Sequence, residues 1–294
     1  MNAIQIKKIL KEHDLQLNKR LGQNFLIDNN ILDKIIITAN LSKQDTVLEI
    51  GSGLGTLTKE LAQKAKKVIT VEKDKKLTEI LKQKLKDYKN IEIIHGDILK
   101  SDLHQRSDLC KGRTSKLKDY KVVSNLPYYI TSPVIRMLLE SDNPPQEMIL
   151  MVQKEVAQRI CAGHPHLRQG FGGQAKMNLL AIATQFYANP KIIFSVSKNS
   201  FWPRPKIDSA IIKIEVRHQQ MSDLEKDSIK KFFQVVKAGF SSPRKQLANN
   251  LYTKLSIPRE QIKKALAECG LPHQARAENL SVENWQKLIK EINA

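Results

Sequence analysis

The stretch that decides the fold runs from residue 46 to residue 55 and reads Thr46-Val47-Leu48-Glu49-Ile50-Gly51-Ser52-Gly53-Leu54-Gly55. Its first half is mostly apolar and predicts a buried β-strand. The glycines in its second half permit a tight turn and let a ligand approach the backbone closely. The amphipathic segment 56–66 then predicts a helix, so the whole forms one β-turn-α unit. A short glycine-rich turn is common, however, and does not by itself identify a ligand.

Strands that alternate with helices recur along the rest of the chain. Ser132-Pro133 is typical of a helix N-cap and first turn. Residues 191–196 and 209–216 are rich in β-formers, and we expect them to form a closing antiparallel pair. This alternation predicts an α/β fold, a Rossmann-like and mostly parallel sheet with helices on both faces. The remaining predicted strands are 67–71, 91–94, 120–124 and 148–152, and the remaining predicted helices are 75–86 and 154–161.

The last quarter of the chain differs in kind. Residues 222–225 have capping-box spacing, and the segments after them have helical periodicity punctuated by Pro258 and Pro272. We therefore expect a ligand-binding α/β domain at 1–220 and a small all-helical domain at 221–294. Two stretches, 100–119 and 163–174, are predicted to be surface loops. The second has several glycines but no Lys-Ser/Thr pair after them, so it does not match a phosphate-binding loop.

The composition favours a polyanionic partner. The 294 residues include 49 Lys and Arg against 30 Asp and Glu, a formal net charge of +19. Residues 221–294 contain 13 basic and 8 acidic residues, so most of the excess lies in the first 220 residues. Such an excess favours nucleic acid through counterion release and electrostatic steering. The alternative is a lysine-rich chain with solvated helix faces and no nucleic acid partner.

Cysteine usage and hydropathy indicate the cellular compartment in which we expect the protein. Cys110, Cys161 and Cys269 are odd in number and far apart, which indicates neither a disulfide framework nor a cysteine zinc site. His164 and His166 are too isolated for a metal site. The first 30 residues lack the apolar core of a signal peptide, and no later stretch approaches a membrane span. We expect a soluble, cytoplasmic protein with no bound metal and no membrane partner.

Acidic side chains follow successive predicted strands. Glu72 lies 21 residues after Gly51, at the end of the second strand, where a carboxylate can bind ribose hydroxyls. Asp97 follows the third strand, where a carboxylate can accept from an adenine amino group. The alternatives are a solvated strand end for Glu72 and a helix N-cap for Asp97. The glycine spacing does not match the pyrophosphate fingerprint of dinucleotides, so we predict S-adenosylmethionine, which has ribose and adenine but no phosphate.

The fourth predicted strand runs into the turn Ser124-Asn125-Leu126-Pro127-Tyr128-Tyr129. The Asn side-chain oxygen and a backbone carbonyl beside the ring-locked proline can accept hydrogen bonds from an exocyclic amine. A tyrosine offers a face on which a base can stack. The combination predicts a nucleobase site next to the cofactor. The alternative is a tight turn with two core tyrosines.

Blocks spread nearly from end to end, among them 19–28 (KRLGQNFLID), 125–129 (NLPYY) and 240–251 (FSSPRKQLANNL), resemble the ribosomal RNA adenine N6-dimethyltransferase family. The final block is similar to the branch that acts on small-subunit rRNA. Two stretches depart from the family pattern: 177–181 reads Met-Asn-Leu-Leu-Ala where the family usually has Tyr-Gly-x-Leu-Ser, and the stretch between Asp97 and Asn125 is longer than typical. The matching blocks are 19–28 (KRLGQNFLID), 49–55, Glu72, Gly96-Asp97, 125–129, 201–209 (FWPRPKIDS) and 240–251 (FSSPRKQLANNL).

The resemblance implies an S-adenosylmethionine-dependent methyltransferase sheet followed by a small helical rRNA-binding domain. It also assigns roles to single residues. Phe201 would cover the face of the target adenine opposite the strand-four turn, and the alternative is an ordinary core phenylalanine before a proline-rich turn. The residues implied to hold that adenine from the other side are Asn125, Leu126, Pro127 and Tyr128. The residues implied to contact S-adenosylmethionine are Asn24, Leu26, Gly51, Gly53, Glu72, Asp97 and Asn125.

The implied activity is N6,N6-dimethylation of two adjacent adenosines in a hairpin loop near the 3′ end of small-subunit (16S) rRNA, linked to small-subunit biogenesis. The implied partner is small-subunit rRNA or an immature small ribosomal subunit, and we expect a monomer. Two alternatives stay open. One is the same chemistry on large-subunit rRNA, and the other is a non-catalytic RNA-binding assembly or transcription factor on the same fold.

Overall fold

A computed structural model describes residues 1–18, 22–100, 117, 119–163, 176–217 and 226–293 of the chain. Its elements separate into two compact units. The first, here the sheet unit, comprises Met1–Ala157 and Lys191–Val216, and the second, here the helical unit, comprises Gln158–Pro190 and Arg217–Ala294. Several sequence predictions fall wholly or largely outside the described residues. They concern 19–21, the 100–119 and 163–174 loops with Cys110, His164 and His166, and the 222–225 capping box.

The sheet has seven strands in the order β4-β3-β2-β5-β6-β9-β7. All described pairings among β2 to β6 are parallel, and β9 pairs with β6 antiparallel. The predicted mostly parallel α/β sheet is therefore confirmed, and the two predicted closing strands, β7 and β9, are neighbours. A separate antiparallel pair joins β1 and β8. The strands are β1 Phe25–Leu26, β2 Thr46–Ile50, β3 Lys67–Glu72, β4 Ile91–His95, β5 Tyr120–Asn125, β6 Glu147–Gln153, β7 Ala188–Val196, β8 Phe201–Trp202 and β9 Ser209–Val216.

Helices connect the parallel strands and form most of the helical unit. Helix α4 shows why they begin where they do, because Asp74 Oδ1 accepts from the backbone N–H groups of Lys76 and Leu77. The helices are α1 Ala3–Glu12, α2 Asn29–Ala39, α3 Thr56–Lys64, α4 Lys75–Lys84, α5 Thr131–Leu139, α6 Lys154–Ile160, α7 Leu179–Tyr187, α8 Lys226–Gly239, α9 Leu247–Leu255, α10 Arg259–Glu268 and α11 Val282–Asn293.

The predicted N-cap at Ser132 is wrong. A 3-10 turn, Tyr128–Ile130, runs directly into α5, so Ser132 is already the second residue of the helix. The turn forms because Ile130 N donates to Pro127 O. A tight turn that continues into the helix leaves no separate capping residue, and this geometry ties the start of α5 to the Asn-Leu-Pro-Tyr turn.

The core of the sheet unit explains the apolar strands. Val47 and Leu48 are consecutive residues of β2, and both are buried, as expected for a parallel sheet covered on its two faces. On one face, Leu57 and Leu61 of α3 lie four residues apart and join the cluster around Val47. This packing holds the carboxyl ends of the central strands in place and positions the turns that follow them.

The helical unit begins before the boundary predicted after residue 220. Phe186 and Tyr187 of α7 stack on Phe232 and Phe233 of α8, with ring centroids 4.6 Å and 5.6 Å apart. Segment Gln158–Pro190 therefore groups with the later helices, although it precedes β7 to β9 in the chain. The predicted boundary is corrected at this segment, because aromatic burial that is long-range in sequence decides where α7 packs.

Asn250 has a structural role in the helical unit. Its side chain is buried, and Nδ2 donates to Gly239 O at 2.6 Å and to Ser242 O at 3.0 Å. The residue thereby joins α9 to the loop after α8. We expect Asn250→Ala to lower the free energy of unfolding of this unit by about 2 kcal/mol, because one buried and one partly buried carbonyl lose their donor. Urea unfolding checks this, and Asn249→Ala at the more exposed neighbouring position is the control, with a loss below about 1 kcal/mol.

Candidate functional site

The glycine turn after β2 lies against the turn after β5. Gly51 N donates to Val71 O at 2.8 Å, and this bond ties the glycine turn to the end of β3. Gly51 has a φ of +78°, and a Cβ at this position would lie 3.0 Å from Pro127 Cδ. Only glycine combines this backbone conformation with such a close approach. The glycine-rich turn and the Asn-Leu-Pro-Tyr turn thus form adjoining walls of one cavity.

This cavity lies in the sheet unit, at the carboxyl ends of β2 to β5, and has a volume of about 1060 Å³ with its open mouth included. Its walls contain every residue that the sequence assigned to the cofactor. They also contain all but one of the residues assigned to the target base. The predicted residues that line it are Asn24, Leu26, Gly51, Gly53, Glu72, Asp97, Asn125, Leu126, Pro127 and Tyr128.

Glu72 is a buried carboxylate, not the solvated strand end considered as an alternative. Its Oε2 accepts from Gly53 N and its Oε1 accepts from Asp74 N, both at 2.9 Å. Burial raises the pKa of Glu72, and these backbone N–H groups oppose that rise by stabilising the charged form. The carboxylate keeps lone pairs for further donors, so it can accept from two ligand hydroxyls while it holds the glycine turn.

Asp97 lines the same cavity as Glu72. Its Oδ2 pairs with Lys73 Nζ at 2.9 Å, and its Oδ1 accepts from Leu99 N at 3.1 Å. Partial burial raises the pKa of Asp97, but the ammonium of Lys73 and the Leu99 N–H outweigh it, and the pKa is below its usual value. Asp97 therefore stays ionised and is an acceptor at neutral pH.

Asn125 ends β5 and holds its side-chain amide towards the N-terminal segment. Asn125 Nδ2 donates to Asn24 O at 3.4 Å, which uses an amide hydrogen and leaves the amide oxygen as an acceptor. Asn24 Nδ2 in turn donates to Gly22 O at 3.1 Å. These bonds bring residues 22–24, which are distant in sequence, to the cavity wall formed by the end of β5.

The two tyrosines after Pro127 have different environments. Tyr128 is partly buried, and its hydroxyl shares a hydrogen bond of 2.7 Å with Ser209 Oγ, which fixes the ring. Burial raises the pKa of Tyr128, so its phenol stays neutral. Tyr129 is 47% exposed. The alternative of two core tyrosines is therefore wrong for Tyr129.

Phe201 is the predicted site residue that lies outside the cavity wall. Its ring is 2% exposed and belongs to the core cluster on one face of the sheet. In the β1–β8 pair its backbone partner is Leu26, which does line the cavity. In this conformation Phe201 supports the wall from behind, and its predicted stacking on the target base stays a prediction.

Several residues that line the cavity were assigned no role from the sequence, and four of them bear on its chemistry: Glu49, Ser52, Lys73 and Tyr129. Glu49 is 1% exposed, and its Oε2 accepts from Thr58 Oγ1 at 2.6 Å. The sequence feature that could have identified Glu49 as a site residue is its position as a single acidic residue in an otherwise apolar strand. Ser52 is buried, and its Oγ has no partner among the described residues.

Comparison with known proteins decides the family. The family model described as ribosomal RNA adenine dimethylase matches residues 14–294. The chain belongs to this family. Ribosomal RNA small subunit methyltransferase A of Alkaliphilus metalliredigens is 39% identical over 290 residues, which cover 98% of this chain and 96% of that protein. The protein of the same name from Clostridium botulinum (strain Langeland) is 42% identical over 282 residues and 96% of each chain.

Solved structures agree with this membership. A dimethyladenosine transferase from Plasmodium falciparum superposes with a TM-score of 0.68 at 26% identity, covering 92% of this chain and 97% of that one. The 23S rRNA methyltransferase ErmE superposes with a TM-score of 0.69 at 26% identity, covering 92% of this chain and all of that one. As a member of the dimethylase family, the chain is an S-adenosylmethionine-dependent rRNA adenine dimethyltransferase with a Rossmann-like sheet.

The residues of the cavity fit this family's cofactor. Glu72 presents a buried carboxylate for ribose hydroxyls, and Asp97 presents an ionised one for an amino group. The buried, unpartnered Ser52 Oγ requires a polar partner that a ligand can supply. The absence of a side chain at Gly51 lets the two turns of the cavity wall approach each other closely. Among the described residues no cluster of His, Cys, Asp and Glu suits a metal ion.

Neither Cys161 nor Cys269 forms a disulfide bond among the described residues. No described helix combines the length and the apolar character that crossing a membrane requires.

Glu49 makes the stability of this family member depend on pH. Burial raises the pKa of Glu49 from its ordinary 4.5 to about 7, and the nearby charge of Glu72 adds to the rise. Because the folded state holds the proton more tightly, the free energy of unfolding falls as pH rises from 4.5 to 7 and the loss is complete above 7. In the wild type this fall in the free energy of unfolding is on the order of 3 kcal/mol. Glu49→Gln cannot ionise, so we expect the variant to lack this fall and to be more stable than the wild type at pH 8.

Urea unfolding of the ligand-free protein at pH 5 and pH 8 measures this difference. Glu79→Gln, at an exposed position on α4, is the matched control and should leave the pH dependence unchanged. A Glu49→Gln variant with the same pH dependence as the wild type would show that the Glu49 carboxyl is not the titrating group.

Proposed function

We propose that this chain dimethylates N6 of two adjacent adenosines in a hairpin loop near the 3′ end of small-subunit (16S) rRNA. We also propose that it works as a monomer in the cytoplasm, on an immature small ribosomal subunit, and so takes part in small-subunit biogenesis. One observation carries the proposal: the predicted cofactor residues and the Asn-Leu-Pro-Tyr turn line the same cavity. The choice of the small subunit is supported by the names of the relatives that are 39% and 42% identical over nearly the whole chain.

The donor supplies an electrophilic methyl group on a sulfonium when it is bound. Adenine N6 is a poor nucleophile because its lone pair is delocalised into the ring, so positioning has to contribute most of the rate. The Asn125 side-chain oxygen would accept from the N6 amine. The second acceptor would be the backbone carbonyl of Leu126 or Pro127, and Pro127 O has one lone pair in use because it accepts from Ile130 N. Two acceptors on the amine would orient its lone pair towards the donor.

Tyr128 would bind the target base through its ring. The hydrogen bond between its hydroxyl and Ser209 Oγ fixes the ring before RNA arrives, so little side-chain entropy is lost on binding. A base that leaves its stack loses stacking energy, and a flat aromatic surface replaces it. A loop or single strand is the cheaper substrate for this step, because its bases are already partly unstacked. The proton of N6 can leave after methyl transfer, so no strong general base is required.

The helical unit would bind rRNA. Residues 221–294 carry a net charge of +5, and the family block 240–251 includes Arg244 and Lys245, both exposed. Both lie in the turn between α8 and α9, where exposed basic side chains suit the phosphate backbone, whose contacts determine affinity and register without reading sequence. The atypical 177–181 segment includes the N-cap and the first residues of α7 and belongs to this unit, so any effect of that departure would fall on rRNA docking.

Transfer of labelled methyl groups to purified ribosomal subunits tests the function. We expect incorporation into unmethylated small subunits and none into large subunits, with dimethyladenosine detected by mass spectrometry of the digested rRNA. Incorporation into large subunits alone would favour the activity named for ErmE. No incorporation into either subunit, despite measurable donor binding, would favour a non-catalytic RNA-binding role.

A further inference from the structure

Tyr129 is an exposed aromatic residue at the edge of the cavity. It follows Tyr128 directly, lines the same cavity and is 47% exposed, whereas Tyr128 is partly buried and held by Ser209. The proposed function gives Tyr128 the target adenine and leaves Tyr129 without a role. An exposed aromatic ring on its own is ordinary on a protein surface. Tyr129 differs from such a residue because it lies beside the base site and next to the ammonium of Lys73.

Lys73 places a positive charge at this ring. Its Nζ lies 5.8 Å from the centroid of the Tyr129 ring and 2.9 Å from Asp97 Oδ2. The bond to Asp97 raises the pKa of Lys73, so the ammonium stays charged. Because Lys73 is also solvent-exposed, it can contact a phosphate without a large desolvation cost.

We propose that Tyr129 and Lys73 form a platform for the nucleotide next to the target adenosine, Tyr129 by stacking on its base and Lys73 by contacting its phosphate. This inference rests on the proposed function, in which two adjacent adenosines are modified. When one of them turns into the cavity, its neighbour loses a stacking partner as well. Two consecutive tyrosines of the cavity wall, one partly buried and one exposed at its edge, match consecutive nucleotides of which one is inside the cavity and one outside.

The choice of RNA as the occupant follows from chemistry and from continuity with the base site. The ring and the ammonium together suit a ligand that combines a flat base with an anion. The first 220 residues, which include both groups, hold most of the +19 charge of the chain. A stacking platform is also tolerant of base identity, so it would position the loop without selecting its sequence.

The test uses an RNA hairpin with two adjacent loop adenosines, one replaced by fluorescent 2-aminopurine, both free and in reconstituted small subunits. 2-Aminopurine has no N6 amine, so the remaining adenosine is the methyl acceptor and the probe reports its neighbour. We expect stacking on Tyr129 to quench the probe in the wild-type complex and Tyr129→Ala to give a brighter probe, because the neighbouring base has then lost one stacking partner without gaining another. Tyr129→Phe should show the wild-type quenching, because the ring and not the hydroxyl stacks. Methyl transfer by Tyr129→Ala should fall about tenfold or more in kcat/KM.

Tyr252 offers a matched control. It is 45% exposed and also lies beside a cation, with the Arg259 guanidinium 4.2 Å from its ring, but it belongs to the helical unit. Tyr252→Ala should leave the probe signal of bound RNA unchanged even if total affinity falls. Lys73→Met should reduce the slope of log affinity against log salt by about 0.7, the value for one lost phosphate contact on a single strand.

Donor affinity, measured by calorimetry, separates the platform from a structural role. We expect the Tyr129 variants to bind S-adenosylmethionine within twofold of the wild type. The inference would be overturned if Tyr129→Ala gave the wild-type probe signal, or if its loss of rate were explained by lost donor affinity. The proposed function would still stand in either case, provided that the wild-type protein methylates the RNA. If the wild type methylates no adenosine in either substrate, the proposed function fails and the platform with it.

Discussion

Replacement of Asn125 by alanine is expected to lower kcat for methyl transfer by about 100-fold or more. The variant removes the side-chain oxygen that would orient the N6 amine, and positioning is the main source of rate for a weak nucleophile. It also removes the bond from Nδ2 to Asn24 O, so donor affinity should fall, but by less than tenfold. Single-turnover transfer to unmethylated small subunits at saturating donor measures kcat separately from binding.

Asn30→Ala is the control for this prediction, because Asn30 is an exposed asparagine at the start of α2. It should transfer methyl groups at the wild-type rate. An Asn125→Ala variant that works at the wild-type rate would mean that another group orients the amine, and the role given to this amide would be wrong.

Replacement of Glu72 by alanine is expected to raise the dissociation constant for S-adenosylmethionine by about 100-fold. Two effects add: the ribose hydroxyls lose a charged acceptor, and the backbone N–H groups of Gly53 and Asp74 lose theirs, which loosens the glycine turn. A hydrogen bond to a charged group contributes about 1.5–3 kcal/mol, which corresponds to a factor of this size. Calorimetric titration with the donor measures it.

Glu79→Ala on the exposed side of α4 should bind the donor normally and so controls for the loss of a negative charge in this region. Circular dichroism of Glu72→Ala should show retained secondary structure, which separates a lost ligand from lost folding. Unchanged donor affinity in a folded Glu72→Ala variant would remove Glu72 from the cofactor site.

Local patterns predicted most of the sheet unit. The alternation of apolar strands and amphipathic helices predicted the parallel sheet, because burial on both faces requires continuous apolar strands. Glycines at 51 and 53 predicted the turn that approaches Pro127 and Glu72. Positions after successive strands predicted that Glu72, Asp97 and Asn125 would meet, since the carboxyl ends of parallel strands lie at one edge.

Other features depended on contacts that no local pattern reveals. Phe201 occurs in a family block, but its pairing with Leu26 places its ring in the core. Ser132-Pro133 is typical of a helix start, but the turn closed by Pro127 O begins the helix earlier. The exposure of Tyr129 beside Lys73 likewise follows from how β3 and β5 are arranged around β2.

By itself, the amino-acid sequence determined the fold class, the family and the strand ends at which the cofactor residues would gather. It could do so because periodicity, glycine spacing and strand-end residues act over short stretches of chain. Only the tertiary structure decided that α7 joins the later helices, that Phe201 is buried, that Glu49 has a pKa of about 7 and that Tyr129 is exposed. Each of these depends on solvent exclusion by residues far apart in the chain, and burial of that kind is a property of the packed molecule.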